Sequence, residues 1–367
     1  MAKAAKIDYV LLLALLGLLI FGFLILASVS FPVSQQKFGN NFYYLNHQLL
    51  FGFLPGLILG FLAFIISLNF FKKWAPLFLL INIIMLIMVF LPFIGLHLQG
   101  GSRWLNLGFI TFQPSELLKL TFVLYLASWL ASRSEKHKEL GKTLIAFLFV
   151  IGIISLLLIK QPDVSTLGVI VVTAILMYFL ADAPFWHIFL IGLIGVLGLA
   201  LLTISASYRL DRVKAFLGQA DPMGKGYQAK QLEIAIGSGG LFGTGLGLSE
   251  QKFGYLPQSF SDSVFAILAE ETGLTGCLIL LFLFLLFFWR GFKIAKNSRD
   301  KFSQLTAVGI TLWMVIQALT NIASMTGILP LAGIPLPFIS YGGSALISEL
   351  IGAGILLNIS KSVSRAE

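Results

Sequence analysis

The sequence predicts an all-α polytopic membrane protein with about ten transmembrane helices and a long extracytoplasmic loop between helices 7 and 8. Of its 367 residues, 58% are hydrophobic and 11% are charged, whereas a soluble domain typically has about 25% charged residues. Several apolar runs reach the roughly 20 residues that a helix needs to cross the hydrocarbon core of a bilayer. Lipid offers no hydrogen-bond partner to the backbone, so segments of this kind are expected to be helical.

Ten apolar segments are expected to span the membrane. They lie near 9–30, 45–68, 74–97, 114–132, 143–159, 164–182, 184–206, 263–289, 303–327 and 340–359. The first is longer than the apolar core of a signal peptide and lacks an A-x-A-like cleavage site, so we interpret it as a retained span. The single cysteine, Cys277, lies inside an apolar run and excludes an intramolecular disulfide.

The distribution of basic residues predicts the orientation of the chain. Most basic residues of the short loops lie on the side of the N-terminus, among them Lys72, Lys73 and those between Arg290 and Lys301. By the positive-inside rule, both termini are expected to be cytoplasmic. Membrane topology therefore accounts for the net charge of +9, and we expect no nucleic-acid partner.

The chain is expected to form a single transmembrane domain over 1–367, in which residues 207–262 are the large extracytoplasmic loop. A loop of this length in a compact bundle is usually functional or disordered, and its aromatic and glycine content argues against disorder. Two shorter segments border the same face. Residues 99–113 are expected to form a re-entrant or interfacial turn, and residues 328–337 carry prolines that a regular helix excludes.

Several ionisable residues fall inside or at the ends of predicted spans. Glu116 and Lys119 have the i,i+3 spacing of an ion pair, with either a site-organising role or a purely structural one. Glu270 and Glu271 point about 100° apart on a helix, so at least one faces the bundle interior, with Lys119 as a plausible partner. Glu349 is a further candidate. Asp163 follows a proline turn, which suits a helix N-cap.

Asp262 lies where the long loop meets the eighth span, between Ser261 and Ser263. The position suits an aspartate that caps the helix N-terminus. It equally suits a catalytic carboxylate at the membrane surface, and the residues alone leave both interpretations open.

The glycine-rich run at 237–247 is not a nucleotide-binding loop, because no Gly-Lys-Ser/Thr follows it and no strand precedes it. We expect it to form closely packed or re-entrant backbone. The four histidines are scattered without metal-ligand spacing, so no zinc or haem site is expected.

Four sets of motifs resemble the SEDS family of cell-wall polymerases, whose members include RodA, FtsW and the sporulation protein SpoVE. The long loop reads Tyr208-Arg209-x-x-Arg212-x-x-x-Phe216, followed by Gly226-Tyr227-Gln228-x-x-Gln231 and the glycine run. The other sets are Arg103-Trp104 with Phe112-Gln113-Pro114-Ser115-Glu116-x-x-Lys119; Gln161-Pro162-Asp163; and Ile339-Ser340-Tyr341-Gly342-Gly343-Ser344. Tyr255-Leu256-Pro257 and the last of these sets are similar to FtsW-like members in particular.

This resemblance implies ten spans and a peptidoglycan glycosyltransferase that polymerises lipid II at the outer face of the bacterial plasma membrane, for cell division or cell shape. It implies a class B penicillin-binding protein as partner. The family's essential aspartate, in a stretch like His-Thr-Asp-Phe, corresponds to Asp262. Here Phe260 replaces the histidine and Ser263 replaces the phenylalanine.

The resemblance also suggests roles for the remaining site residues. Asp262 would act as general base on the acceptor hydroxyl. Contacts to the substrate, including its polyprenyl pyrophosphate, would come from six side chains: Arg103, Glu116, Lys119, Arg209, Arg212 and Gln228. A divalent cation such as Mg²⁺ could share this role, although the sequence shows no site for one. The alternatives are a lipid II flippase and a non-catalytic scaffold.

Overall fold

The computed structural model describes residues 7–98, 101–106, 108, 111–133, 140–219, 221, 224 and 226–364. Its helices are α1 (Tyr9–Phe38), α2 (Tyr43–Gln48), α3 (Leu54–Ile65), α4 (Leu68–Met88), α5 (Pro114–Arg133), α6 (Leu140–Lys160), α7 (Val164–Leu180), α8 (Phe185–Ile204), α9 (Ser207–Phe216), α10 (Tyr227–Gly239), α11 (Val264–Lys296), α12 (Lys301–Met325) and α13 (Gly343–Ser364). A π-helical turn, Leu49–Phe53, joins α2 to α3.

Within the described residues, seven helical segments are long and apolar enough to cross a membrane. They are α1, the continuous α2–α3 helix, α4, α8, α11, α12 and α13. The helices α6 and α7 are also apolar but shorter in their apolar parts, and α5 carries a buried ion pair. These ten segments correspond in order to the ten predicted spans, so the predicted polytopic helical fold is confirmed.

The helices α5, α11, α12 and α13 form the centre of the bundle. The middle helix, α12, packs against α5, α7, α11 and α13 and is buried over most of its length. In contrast, α8 contacts α7 and α9 and leaves most of its apolar side chains exposed. A span with this exposure is stable only in an apolar solvent such as lipid.

Over its described residues, the segment 99–113 predicted as a turn belongs to a small antiparallel sheet. Its strands are β1 (Gly95–Leu98), β2 (Gly101–Asn106) and β3 (Thr111–Phe112), in the order β1-β2-β3. The helix predicted near 74–97 therefore ends earlier, at Met88. The chain then folds back so tightly that a Cβ on Gly95 would lie 1.8 Å from the Val89 carbonyl oxygen. The strand hydrogen bonds satisfy backbone groups that a turn at the membrane would leave open.

The long segment 207–262 is folded over the residues described. It contains α9, α10 and a 3₁₀ turn at Gln251–Phe253, and α10 packs against α11. This segment and the sheet lie at one end of the bundle, which we term the Asp262 end.

The helix α11 is broken at Gly273, where φ is +64°. Four backbone hydrogen bonds join the break to the glycine-rich run. The amides of Thr244 and Gly245 donate to the carbonyls of Glu270 and Glu271, at 2.9 and 3.0 Å. In return, Leu274 and Thr275 donate to the carbonyls of Gly240 and Leu241, at 3.0 and 3.1 Å. The prediction of closely packed backbone for this run is confirmed.

Glycine is required on both sides of this junction. A Cβ on Gly243 would lie 2.2 Å from the Glu271 carbonyl oxygen, and one on Gly273 would lie 2.3 Å from the Gly243 nitrogen. Both residues also have positive φ, which side chains disfavour. The glycines thus allow the long segment to lie directly against the opened helix.

We predict that Gly273→Ala destabilises the protein by about 2 kcal/mol or more, because it combines a positive φ with a backbone clash. The measurement is the Tm of the purified protein in detergent. Gly192→Ala is the matched control, since Gly192 lies in α8 with open space around it. Equal Tm values for the two variants would contradict the prediction that the α11 break and the glycine-rich run are tightly packed.

Candidate functional site

Asp262 lies at the end of the long segment, two residues before α11 begins. Its backbone is fixed by Asn321 of α12, whose Nδ2 donates to the Asp262 carbonyl at 2.8 Å. Its carboxylate lies against the proline-containing segment 328–342, because a Cβ on Gly333 would be 3.2 Å from Oδ2. Three separate parts of the chain therefore meet at Asp262.

The Asp262 side chain does not cap α11. The N-cap residue is Ser263, and no side chain caps the helix. The Ser263 hydroxyl instead donates to the Pro257 carbonyl at 3.1 Å and accepts from Gln228 Nε2 at 3.3 Å. The capping interpretation is therefore wrong. Among the described residues, no hydrogen bond is made to the Asp262 carboxylate, which is left available for a ligand.

The surroundings of Asp262 raise the pKa of its carboxyl from 3.8 to about 6. Desolvation by the packed neighbours is the main cause. The guanidinium groups of Arg103 and Arg212 oppose it and lower the pKa, while the carboxylates of Asp163 and Glu116 raise it further. A carboxyl with this pKa is ionised at neutral pH and is a stronger base than an ordinary aspartate.

Two of the predicted arginines face this carboxylate from different elements. Arg103 of β2 is held by the carbonyls of Gln161 and Pro162, at 2.9 and 2.6 Å from its Nε and Nη2. Arg212 of α9 donates from Nη1 to the Leu331 carbonyl at 3.3 Å. Because a guanidinium has five N–H groups, both arginines keep donors free for an anionic ligand.

Arg209 is placed differently. Its Nη1 donates to the Leu202 carbonyl and its Nε to the Tyr208 hydroxyl, both at 2.8 Å, and its guanidinium lies over the Tyr208 ring. These contacts direct Arg209 toward the end of α8. Of the two predicted arginines on α9, the structure brings Arg212 to Asp262.

The predicted pairing of Glu116 with Lys119 is confirmed. Lys119 Nζ lies 2.7 Å from Glu116 Oε2 and 2.6 Å from Gln317 Oε1, and both ionised residues are buried, with 2% and 3% exposure for Lys119 and Glu116. The ammonium also lies 5.6 Å from the centre of the Trp313 ring. With these partners and this burial, Lys119 lies inside the bundle rather than at the open surface.

The suggestion that Lys119 is the partner of Glu270 or Glu271 is wrong. Glu271 pairs with Lys252, at 2.9 Å, and Glu270 accepts from the Ser249 hydroxyl at 2.5 Å. Lys252 comes from the 3₁₀ turn of the long segment and is buried, with 2% exposure. No periodicity marks a loop lysine as buried, so this pair has no local signal in the sequence.

Two amides of α12 were not among the predicted site residues. Gln317 bonds Lys119, and Asn321 bonds Asp262. Their spacing of four residues within a predicted span is the signal that could have found them, since it places both amides on one face. Asp163 caps α7 as predicted, accepting from the Thr166 amide at 3.3 Å, and also accepts from Ser115 at 3.1 Å.

The remaining candidates have structural partners. Glu349 accepts from the Phe338 amide at 2.8 Å. The Phe260 ring, which replaces a histidine in the resemblance, packs 4.7 Å from Tyr44 and 5.6 Å from Tyr341, measured between ring centres. In the part of the chain that the structure describes, no three His, Cys, Asp or Glu side chains form a metal site.

Comparison with known proteins gives a consistent result. The model of the FtsW, RodA and SpoVE family, described as cell cycle proteins, matches residues 9–365. The chain is 39% identical to stage V sporulation protein E of Bacillus subtilis over 363 residues, covering 98% of each chain. It is 41% identical to a probable peptidoglycan glycosyltransferase FtsW of Coxiella burnetii over 358 residues, covering 96% of this chain and 95% of that one.

Solved structures share the fold. A chain from a peptidoglycan synthase complex that coordinates polymerization and crosslinking matches with a TM-score of 0.75 at 25% identity, covering 98% of both chains. The rod shape determining protein RodA of Thermus thermophilus matches with a TM-score of 0.70 at 26% identity, covering 97% of both.

We predict that Glu116→Ala and Lys119→Ala each destabilise the protein by about 3–5 kcal/mol, because each leaves a buried charge without its partner. The double variant should lose less than the sum of the two single losses. Thermal unfolding of all three variants measures the coupling. The Lys230–Glu233 pair has the same i,i+3 spacing but is exposed, and it serves as the control, with a coupling near zero. Additive losses at Glu116 and Lys119 would show that each depends on separate partners.

Proposed function

Since the chain belongs to the FtsW, RodA and SpoVE family of cell cycle proteins, we propose that it is a peptidoglycan glycosyltransferase whose general base is Asp262. Its substrate is lipid II together with the polyprenyl-pyrophosphate-linked glycan strand. The assignment of Asp262 rests on one observation. Its carboxylate does not cap α11 and is instead desolvated at the end of the bundle, beside two arginines.

The reaction requires a proton to leave the acceptor's 4-hydroxyl while polyprenyl pyrophosphate leaves the donor sugar. The Asp262 carboxylate takes the proton as the hydroxyl oxygen attacks the anomeric carbon. Arg103 and Arg212 bear the positive charge that a pyrophosphate leaving group needs, and a guanidinium can contact phosphate oxygens through two parallel N–H groups. The buried Glu116–Lys119 pair lies close enough for the Glu116 carboxylate to raise the pKa of Asp262.

The lipid part of the substrate has an apolar path in the bundle. A groove of about 340 Å³ lies between α3, α4, α5 and α13. Its lining includes Leu117, next to Glu116, and Asn82, whose side chain donates to the Pro114 carbonyl at the start of α5. A polyprenyl tail lying here would bring its pyrophosphate toward the Asp262 end.

The orientation follows from the same proposal. The short loops at the opposite end carry most of the basic residues, so the Asp262 end faces the extracytoplasmic side of the bacterial inner membrane, with both termini in the cytoplasm. A class B penicillin-binding protein is the proposed partner, supported by the similarity to a complex that coordinates polymerization and crosslinking.

The alternative functions have less support. A flippase needs a polar route through both leaflets. The buried charges Glu116, Lys119 and Glu271 instead lie near the starts of α5 and α11, toward the Asp262 end, and Lys252 lies in the long segment. A non-catalytic scaffold would use Asp262 only as a helix cap, and the side chain makes no such bond.

We predict that Asp262→Asn lowers lipid II polymerisation by about 100-fold to about 10,000-fold, the range for loss of a general base, while the Tm stays close to that of the wild type. Glycan formation by the purified protein, with its partner supplied in one arm, is the measurement. Asp182→Asn is the control, since Asp182 is an exposed carboxylate paired with Lys301. Full activity in Asp262→Asn would exclude the assigned base.

We predict that Arg212→Ala lowers activity by about ten-fold to about 100-fold, the range for a lost charged hydrogen bond, and that Arg209→Ala has a smaller effect. The reason is that Arg212 faces Asp262 whereas Arg209 bonds the end of α8. Arg212→Lys should restore activity only in part, because lysine keeps the charge but lacks the planar fork. The measurement is the steady-state rate with lipid II for each variant. Equal losses of activity in Arg212→Ala and Arg209→Ala would contradict the prediction.

A further inference from the structure

We infer that Gln317 and Asn321 of α12 are positioning residues, which hold the Asp262 backbone and the Glu116–Lys119 pair in one fixed arrangement. We term them the amide pair. The inference rests on the proposed function, because it takes Asp262 as the reacting carboxylate. Beyond the proposed function, the inference names the residues that connect the buried ion pair to the Asp262 carboxylate.

Asn321 joins two separate segments to one helix. Its Nδ2 donates one hydrogen to the Asp262 carbonyl and the other to the Ile334 carbonyl, both at 2.8 Å. The residue is fully buried, with 0% exposure. Because both N–H groups of the amide are used, only a side chain with two donors at this position can satisfy both carbonyls. Each carbonyl left open would carry a desolvation penalty.

Gln317 makes the corresponding connection one turn earlier. Its Oε1 accepts from Lys119 Nζ at 2.6 Å and from Trp313 Nε1 at 3.0 Å. Its Nε2 donates to the Pro335 carbonyl at 2.9 Å. The orientation of this amide is therefore fixed, since the oxygen faces two donors and the nitrogen faces an acceptor.

The two amides act on the same stretch of chain. Ile334 and Pro335 are consecutive, and each is bonded by one member of the amide pair. Residues four apart on a helix lie on one face, so the spacing between the two bonds is set by α12 itself. A shift of the ion pair therefore moves the stretch against which the Asp262 carboxylate lies, next to Gly333.

The sequence supplies a matched control in α13. Asn358 Nδ2 also donates to two backbone carbonyls, those of Ala63 at 3.0 Å and Ile66 at 2.6 Å. This second amide ties α13 to the turn between α3 and α4, at the end of the bundle opposite Asp262. Asn358→Ala thus removes the same chemical contacts without touching the site.

The experiment compares Asn321→Ala, Asn321→Asp, Gln317→Met and Asn358→Ala in the purified full-length protein, with lipid II as substrate. Tm, kcat and KM are measured for each. For the two Asn321 variants and Gln317→Met, we expect kcat to fall by about ten-fold to about 100-fold, as for a misplaced catalytic group, with KM little changed. Asn358→Ala should lose a comparable amount of Tm and keep its kcat.

Asn321→Asp separates positioning from packing. It has the shape of asparagine but offers at most one O–H donor to two carbonyl oxygens, so positioning predicts a kcat as low as in Asn321→Ala. Packing alone predicts near-normal kcat in the isosteric variant, and that result would overturn the inference, as would equal kcat losses in Asn321→Ala and Asn358→Ala. If wild type polymerises lipid II and Asp262→Asn does not, a normal Asn321→Ala overturns this inference alone. An inactive wild type would instead overturn the proposed function.

Discussion

The buried ammonium of Lys119 is the group on which the Asp262 end depends. An unpaired charge inside a membrane helix costs about 3 kcal/mol on insertion scales, so Lys119 must be surrounded by acceptors. Glu116 supplies one on the same helix, and Gln317 supplies a second from α12. Gln317 also donates to the Pro335 carbonyl. The hydrogen bonds that satisfy Lys119 therefore hold α5, α12 and the segment 328–342 at fixed distances from one another.

A second buried pair attaches the long segment in the same way. Lys252 reaches Glu271 and Ser28, and the glycine-rich run fills the break in α11 with four backbone hydrogen bonds. The segment that ends at Asp262 is therefore fixed at both its glycine run and its 3₁₀ turn. With Asn321 holding Asp262 itself, a chain portion that would otherwise be a mobile loop presents a carboxylate at a defined place.

The span order, the Glu116–Lys119 pair and the glycine junction were predictable, because hydropathy, i,i+3 spacing and glycine content are local signals. The β1–β3 sheet was not predictable, because its short strands follow no long alternating pattern. The partner of Glu271 was predicted wrongly, because Lys252 approaches it only through tertiary folding. Asp262 had a local signal for capping, and only the position of Ser263 shows that its carboxylate is free.

Asp262 is the proposed base, and desolvation raises its pKa to about 6, with Arg103 and Arg212 limiting the rise. The dependence of kcat/KM on pH tests this directly, since it reports the ionisation of the free enzyme. The base must be ionised, so kcat/KM should be constant above this pKa and fall about ten-fold per pH unit below it. The fall of kcat/KM at low pH should be absent from the residual activity of Asp262→Asn. A wild-type rate that stays constant down to a pH of about 5 would contradict the account, because an ordinary carboxyl titrates near 3.8.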